Sequence, residues 1–329
     1  MTHQAAGVTL ADVQRPVVAH LDAVTADLRA IIAADFPLIA EVNGHLLQMK
    51  GKLFRPTLLL LASEASGARD PRAVRFAAII ELIHLATLVH DDSVDHSSLR
   101  RGMPTVNSLF SHQIAVIMGD YLYSRAIIEL VRLDDLEPLR VLSRVTNEMT
   151  VGEMRQLAAY DALSFREEDY ELLIRSKTAS LVAATCEVGA LRAEPDSRRA
   201  LRGYGDSLGM AFQITDDLLD YTEGEAVTGK PSGLDLKEHK VTLPLIAALP
   251  HLTDDERREV QRLFLAARPA DDQVARIMAM VAGCGGLDYA RERAAAYAAQ
   301  AEASLEELAP SAARDALRDA IAYAVERRR

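Results

Sequence analysis

Residues 81–95, Glu-Leu-Ile-His-Leu-Ala-Thr-Leu-Val-His-Asp-Asp-Ser-Val-Asp, constrain this chain more than any other stretch. A long apolar run of this kind has to be buried, yet it ends in three carboxylates, Asp91, Asp92 and Asp95. On a helix Asp91 and Asp95 stand i,i+4 and Asp92 and Asp95 stand i,i+3, so all three crowd one end of one face. Like charges that close repel, and a buried flank sharpens the conflict. A hard divalent cation removes it, because Mg²⁺ takes oxygen ligands, usually one or two carboxylates together with substrate phosphates. Taken alone, a solvated acidic helix end explains one such motif equally well.

A second copy shifts that balance. Asp216, Asp217 and Asp220 repeat the spacing far downstream, again after an apolar run, Leu208-Gly-Met-Ala-Phe212. Two such clusters facing each other would form a cage for several Mg²⁺ ions and a diphosphate. The apolar flanks below would line a greasy cleft. Such a site suits a molecule with an anionic head and a hydrocarbon tail.

With these motifs the chain resembles the trans-isoprenyl diphosphate synthases, the polyprenyl synthetase family, of the long-chain type. The agreement is strongest over residues 50–249. It rests on Gly51-Lys52-Leu-Phe-Arg55-Pro56, the Asp91 cluster, Arg100-Arg101-Gly102, Gly119-Asp120, Lys177-Thr178, Phe212-Gln213, the Asp216 cluster, Gly229-Lys230, and Asp235 followed by Lys240-Val-Thr-Leu-Pro244. The resemblance implies an isoprenoid-synthase helical bundle, one domain spanning residues 1–329, built around a central apolar cleft.

The residues themselves also read as all-α. Apolar positions in residues 9–34 recur at helical spacing. Further helices are expected at 52–66, from Pro71 through Asp95, and at about 107–131, 135–160 and 167–191. Asp196 is expected to cap a helix reaching Tyr221. More helices follow near 238–249, 254–266, 270–283, 287–308 and 310–327. Residues 97–106 read as a loop, as do 222–237, whose glycines suit a lid. No segment shows sustained strand alternation, and no linker divides the chain.

Hydrophobic residues make up 49% of the 329, enough for a substantial core. The net charge of −11, Lys+Arg 37 against Asp+Glu 48, argues against a nucleic-acid protein. It leaves room for an anionic substrate held by local cations. Cys186 and Cys284 lack metal or redox spacing and are expected to be buried thiols in a reduced compartment. The N-terminus lacks the pattern of a signal peptide, and no stretch is expected to approach the ~18 apolar residues of a spanning helix. The expected location is cytoplasmic.

Several basic residues carry both a plain reading and a family one. Lys52 and Arg55, expected on one helix face beside Gly51, are ordinary surface charge or a second anion site. Arg suits bidentate phosphate contacts and Lys acts as a point charge. The family assigns both to isopentenyl diphosphate, together with His84 and Arg101. It assigns Arg100, Lys177, Lys230 and Lys240 to the allylic diphosphate, with Thr178 beside Lys177 as a further substrate-binding residue. Lys50 stands where the family often has a second glycine. A lysine in the apolar pattern around Lys177 needs a partner. Gln213, one turn before Asp217, either caps the acid cluster or, as a neutral amide, steadies the allylic cation.

The family chemistry is ionisation, condensation and elimination. It implies Mg²⁺, three ions with Mn²⁺ as a substitute, held by Asp91, Asp95 and Asp216, with Asp92, Asp217 and Asp220 close by. The product tail is expected to grow down the cleft, so residues below Asp91 set its length. Ala86 and Thr87 lie about 6 to 7.5 Å lower at 1.5 Å per residue. Short-chain members carry bulky aromatics there; both positions are small here. The expected product is therefore longer than geranylgeranyl diphosphate, with Tyr121, Tyr123 or Ile127 as alternative floors. A shorter-chain synthase, a terpene cyclase and a non-catalytic subunit of a heteromeric synthase are the rivals. The second acid cluster argues against the cyclase, and the full set of acids and cations against the inactive subunit. The family implies a homodimer, and a lipophilic product implies peripheral membrane contact. The tail Arg327-Arg328-Arg329 either reaches substrate or is solvated.

Overall fold

The structure, a computed structural model, describes residues 7–49, 51–158, 162–222 and 232–326. The periodic stripe at the N-terminus forms two helices, α1 (Leu10–Gln14) and α2 (Val18–Ile32), rather than one. Pro16 explains the break, because it lacks an amide hydrogen and its ring crowds the preceding turn. Thr9 and Asp12 close a capping box at the start of α1. Helix α3 (Pro37–Gln48) opens on its proline. Helix α4 (Phe54–Ala65) starts later than the sequence suggests, because Leu53 is left-handed (φ 49°). Lys52 therefore precedes α4 and does not share a helix face with Arg55.

Helix α5 (Ala73–Val94) carries the first acid cluster, and Pro71 sits in the turn before it rather than in its first turn. A short hairpin follows, β1 (Leu99–Arg100) against β2 (Met103–Pro104), where a loop was expected. Arg101 (φ 53°) and Gly102 (φ 75°) form its two-residue tip, and positive φ at both positions is what a tight type I′ turn requires. Next come α6 (Val106–Leu109), α7 (His112–Arg132) and α8 (Leu136–Ala158). Helix α9 (Glu167–Ile174) runs through a π turn (Arg175–Ala179) into α10 (Ser180–Gly189), so the helix expected over 167–191 is interrupted at Lys177 and Thr178.

Helix α11 (Pro195–Thr222) carries the second acid cluster; Asp196 lies in its first turn, not at its cap. The remaining helices are α12 (Leu234–Lys237), α13 (Leu243–Ala248), α14 (Asp254–Leu265), α15 (Asp271–Gly283), α16 (Gly286–Leu305) and α17 (Ala312–Glu326). Part of the expected 222–237 loop is thus helical, and the helix expected from 238 begins at Leu243.

Helix α5 packs on α7, α4 and α2, and α11 packs on α16 and α10; α4 and α10 join the two halves. Gly209 of α11 makes one approach possible: a Cβ there would lie 2.6 Å from the Ala179 Cα at the end of the π turn. The largest apolar cluster encloses α5, with Phe76, Ile79, Ile80 and Leu82 fully buried beside Leu58, Leu59 and Leu61 of α4. A second cluster joins α9, α11 and α16, and a third joins α12 to α15.

Contrary to the reading of the sequence, α5 is long and apolar enough to span a membrane. Its burial between α2, α4 and α7 accounts for that composition. Cys186 is buried as expected, but Cys284 is half-buried at the end of α15; both are free thiols.

Candidate active site

Both acid clusters occupy the C-terminal ends of their helices. Neither helix has a basic residue in its last turn. The helix dipole is negative there, so the carboxylates add charge where it is least welcome. Asp91 is half-buried, and its pKa is pushed up to about 6, first by burial, with Glu153 and Asp95 adding to the rise and Lys177 and Arg100 opposing it. Asp92 points inward and is buried; Arg100 Nε reaches both of its oxygens at 2.8 Å. Asp95 is exposed at the end of α5, with Lys240 Nζ 3.6 Å from Oδ2.

On α11, Gln213, Asp216 and Asp220 fall on the half-buried stripe, while Asp217 turns inward. Both Asp217 oxygens are held by protein donors: Tyr170 Oη donates to Oδ2 at 2.6 Å and Gln213 Nε2 to Oδ1 at 2.9 Å. Burial raises the Asp217 pKa, these two hydrogen bonds oppose the rise, and Asp216 and Asp220 add to it. Asp220 accepts from the backbone amides of Leu234 and Asp235, each at 3.1 Å, and so caps α12. Asp235 is raised well above the carboxylate range by burial and by Asp217 and Asp220. Lys240 faces the same group: burial works against its charge, yet Glu238, Asp95 and Asp235 outweigh it. This lysine links the acids at the end of α5 to those around α12.

The cations divide into two sets. Around α4 and α5, Arg55 Nη1 donates to His84 Nε2 at 3.0 Å, and Arg55 Nε is buried without a partner. Burial first, then Arg55, Arg101 and Arg100, hold the His84 pKa well below the imidazole range, so the ring is neutral and can accept. Glu81 faces Arg55 and Arg101; burial raises its pKa and the two guanidinium groups lower it. Gly51 closes this cluster: a Cβ there would sit 3.2 Å from both Arg101 Nη1 and Glu81 Oε1. Lys52 turns instead to α17, donating to Tyr323 Oη at 3.2 Å.

The second set lies with the acids. Lys177 pairs with Glu153 and donates to Gln156 Oε1 at 3.0 Å. Thr178 Oγ1 donates to Gln213 Oε1 at 2.9 Å. The hairpin parts the two arginines, Arg100 going to Asp92 and Arg101 to Glu81. Lys230 lies outside the described residues. Glu81, Glu153, Gln156 and Tyr170 belong to the site, and no local motif marks them; all four act through partners distant in sequence.

Among the described residues, no three of His, Cys, Asp and Glu converge closely enough to enclose an ion by themselves. The carboxylates of the two clusters are hard oxygen donors, the type Mg²⁺ takes alongside substrate phosphates. Below the acids, Ala86 is 3% exposed and packed into the main core, while Thr87 is half-buried and donates to the His84 carbonyl. Tyr121 packs against the main core and donates to the Ile32 carbonyl at 3.2 Å, and Tyr123 bonds Thr146 of α8.

An all-helical bundle with paired acid clusters at helix ends and two sets of cations defines an enzyme that handles diphosphates carrying apolar tails. The sequence pattern of the polyprenyl synthetase family matches residues 36–281. The chain is 39% identical over 318 residues to the all-trans-nonaprenyl-diphosphate synthase (geranyl-diphosphate specific) of Rhodobacter capsulatus, covering 96% of this chain and 97% of that one. It is 36% identical over 298 residues to the octaprenyl diphosphate synthase of Escherichia coli, covering 90% and 92%. A crystal structure of polyprenyl synthase from Caulobacter crescentus, complexed with calcium and isoprenyl diphosphate, superposes with a TM-score of 0.93 at 32% identity, covering 98% of this chain and 99% of that one. The chain belongs to the polyprenyl synthetase family. It is a prenyltransferase of the long-chain polyprenyl diphosphate synthase type.

Proposed function

We propose that the chain extends an allylic diphosphate with isopentenyl diphosphate, repeatedly and in trans, with Mg²⁺ as cofactor. The observation that carries this reading is the pairing of two unlike anion sites. One is rich in carboxylates and suits a metal-bound diphosphate; the other, Arg55, His84 and Arg101 with Glu81, is cationic and suits a diphosphate without metal. Asp91, Asp95 and Asp216 would hold the ions, three in all, and Mn²⁺ would substitute. When bound, the metal neutralises charge on the leaving diphosphate.

The chain's own groups do the rest. Arg100, Lys177 and Lys240 face the allylic diphosphate, and Lys230 joins them. Arg55, His84 and Arg101 bind the isopentenyl diphosphate, and Lys52 swings to it from Tyr323. Thr178 and the Gln213 amide lie beside the allylic carbon and steady its developing charge without donating a nucleophile. An apolar cleft below the acids, as the family fold implies, would keep out water that would capture the cation. No residue is assigned as the base; the released diphosphate takes the proton.

The chain works as one domain and as a homodimer in the cytoplasm. Support for the dimer comes from the outer face of α7, where Val116, Ile117, Ile128 and Val131 are 40–62% exposed. A lipophilic product favours peripheral contact with a membrane.

The test is product sizing. Purified protein is incubated with Mg²⁺, isopentenyl diphosphate and geranyl, farnesyl or geranylgeranyl diphosphate, and the dephosphorylated products are sized. Prenols longer than geranylgeraniol are expected, and none when EDTA is present. Products ending at geranylgeranyl would leave a synthase with a shorter tail cavity. No elongation from any primer would refute the reading and favour an inactive subunit.

A further inference from the structure

One buried residue outside the motifs shares a hydrogen-bond partner, Asp217, with Gln213. Tyr170 is 1% exposed in the cluster that joins α9 to α11. Its hydroxyl donates to Asp217 Oδ2 at 2.6 Å, while the other oxygen of Asp217 takes the Gln213 amide at 2.9 Å. Thr178, on the π turn, donates to the remaining atom of that amide at 2.9 Å. Four side chains thus run in one line, Tyr170 to Asp217 to Gln213 to Thr178. Both ends of the Gln213 amide are fixed, and its carbonyl oxygen keeps a second lone pair. Each Asp217 oxygen is held by one protein donor.

We propose that Tyr170 is a positioning residue: with Asp217 it forms a buried clamp that aims the Gln213 carbonyl at the reacting allylic carbon. The clamp rests on the role given to Gln213 above. Without the Tyr170 hydroxyl, one Asp217 oxygen is left unpaired in a buried site, and the carboxylate turns to find another donor. The Gln213 amide follows it. Substrate binding, which depends on the two diphosphate sites, is left alone.

The test is a cycle of Tyr170→Phe, Gln213→Ala and the double variant, with kcat, both KM values and the share of primer released as prenol. Phenylalanine keeps the ring and its packing, and thermal melting monitors folding. Tyr170→Phe should lower kcat by about tenfold, hold both KM values within about twofold, and raise the prenol released per condensation. In the double variant Tyr170→Phe should add nothing to Gln213→Ala, since it acts through that residue. If Gln213→Ala keeps wild-type kcat, the role given to Gln213 fails and the clamp falls with it. If Gln213→Ala is impaired and Tyr170→Phe adds its full loss to it, only the clamp fails. A lowered melting temperature with unchanged kcat and prenol release would make Tyr170 a packing residue and overturn the proposal. Thr178→Val, which keeps the shape of the side chain but not its hydroxyl, should lower kcat as Tyr170→Phe does; wild-type kcat in Thr178→Val would count against the amide as the common target.

Discussion

Replacing Ala86 by phenylalanine should shorten the product. From Asp91 down to Ala73, α5 runs eighteen residues, about 27 Å, the length that a tail following this helix would have. Ala86 stands five residues below Asp91, about 7.5 Å down, so a ring projecting there leaves little more than a quarter of that length. The expected product falls to farnesyl or geranylgeranyl diphosphate. The substitution has a cost, because Ala86 is 3% exposed and packed in the main core. Overpacking of this kind costs about 1–3 kcal/mol, so melting is followed alongside. Thr87→Phe, at a half-buried position one residue nearer the acids, provides a second block with more room for the ring. The assay sizes dephosphorylated products from the same primer at equal conversion. A folded Ala86→Phe enzyme that still makes the wild-type length would refute a tail path beside this face of α5, and unchanged length in both variants would move the floor to another helix.

Three further outcomes are expected. Asp91 has a folded pKa near 6 against an ordinary 3.8, so the folded chain keeps a proton that the unfolded chain has released. Without metal, its contribution to stability should therefore fall as pH rises between those two values; Asp217, Asp235 and Glu81 are raised too and add to the same slope, so denaturation in EDTA should show a shallower slope in Asp91→Asn than in the wild type, and equal slopes would reject the assignment. Glu81→Gln removes the carboxylate between Arg55 and Arg101 and should raise KM for isopentenyl diphosphate roughly tenfold more than KM for the allylic primer; an equal effect on both would be evidence against separate subsites. Gly209→Ala places a methyl 2.6 Å from the Ala179 Cα, a backbone atom that cannot rotate away. It should cost about 1–3 kcal/mol and lower kcat by moving Thr178 from Gln213; wild-type melting would show that α11 does not need this approach.

Much of the site is legible in the sequence because its signals are local. Three acids within five residues, twice over, can be read from spacing, whereas the roles of Lys177 and Thr178 come from the family resemblance; the pattern asks only that a lysine among apolar residues find a partner. What spacing cannot supply is the second partner. Lys52 meets Tyr323 across 271 residues, and Tyr170 meets Asp217 across 47. Glu81 reads as the polar start of an apolar run until Arg55 and Arg101 arrive from other elements. Asp92 and Asp217 look equivalent to their neighbours in the motif, yet both turn inward to protein donors, because a helix rotates adjacent residues by about 100°. The fold shows the same division. Helical periodicity gave the class, but Pro16, Leu53 and the Arg101-Gly102 tip set boundaries through backbone geometry that periodicity does not register. The π turn left no trace in composition at all.

That turn has a consequence for how the chain tolerates change. A π turn closes over one residue more than an α-turn, so residues 175–179 carry a surplus unit inside an otherwise regular rod. Deleting a single residue there would heal the rod instead of breaking it, and α10 would keep its hydrogen-bond ladder. Lys177 and Thr178, however, would swing by about 100° relative to α8 and α11. The chain would lose Glu153 and Gln213 as partners while retaining a folded bundle. Shortening by one residue at this point would thus separate two properties that most lesions damage together: the ability to fold and the ability to react.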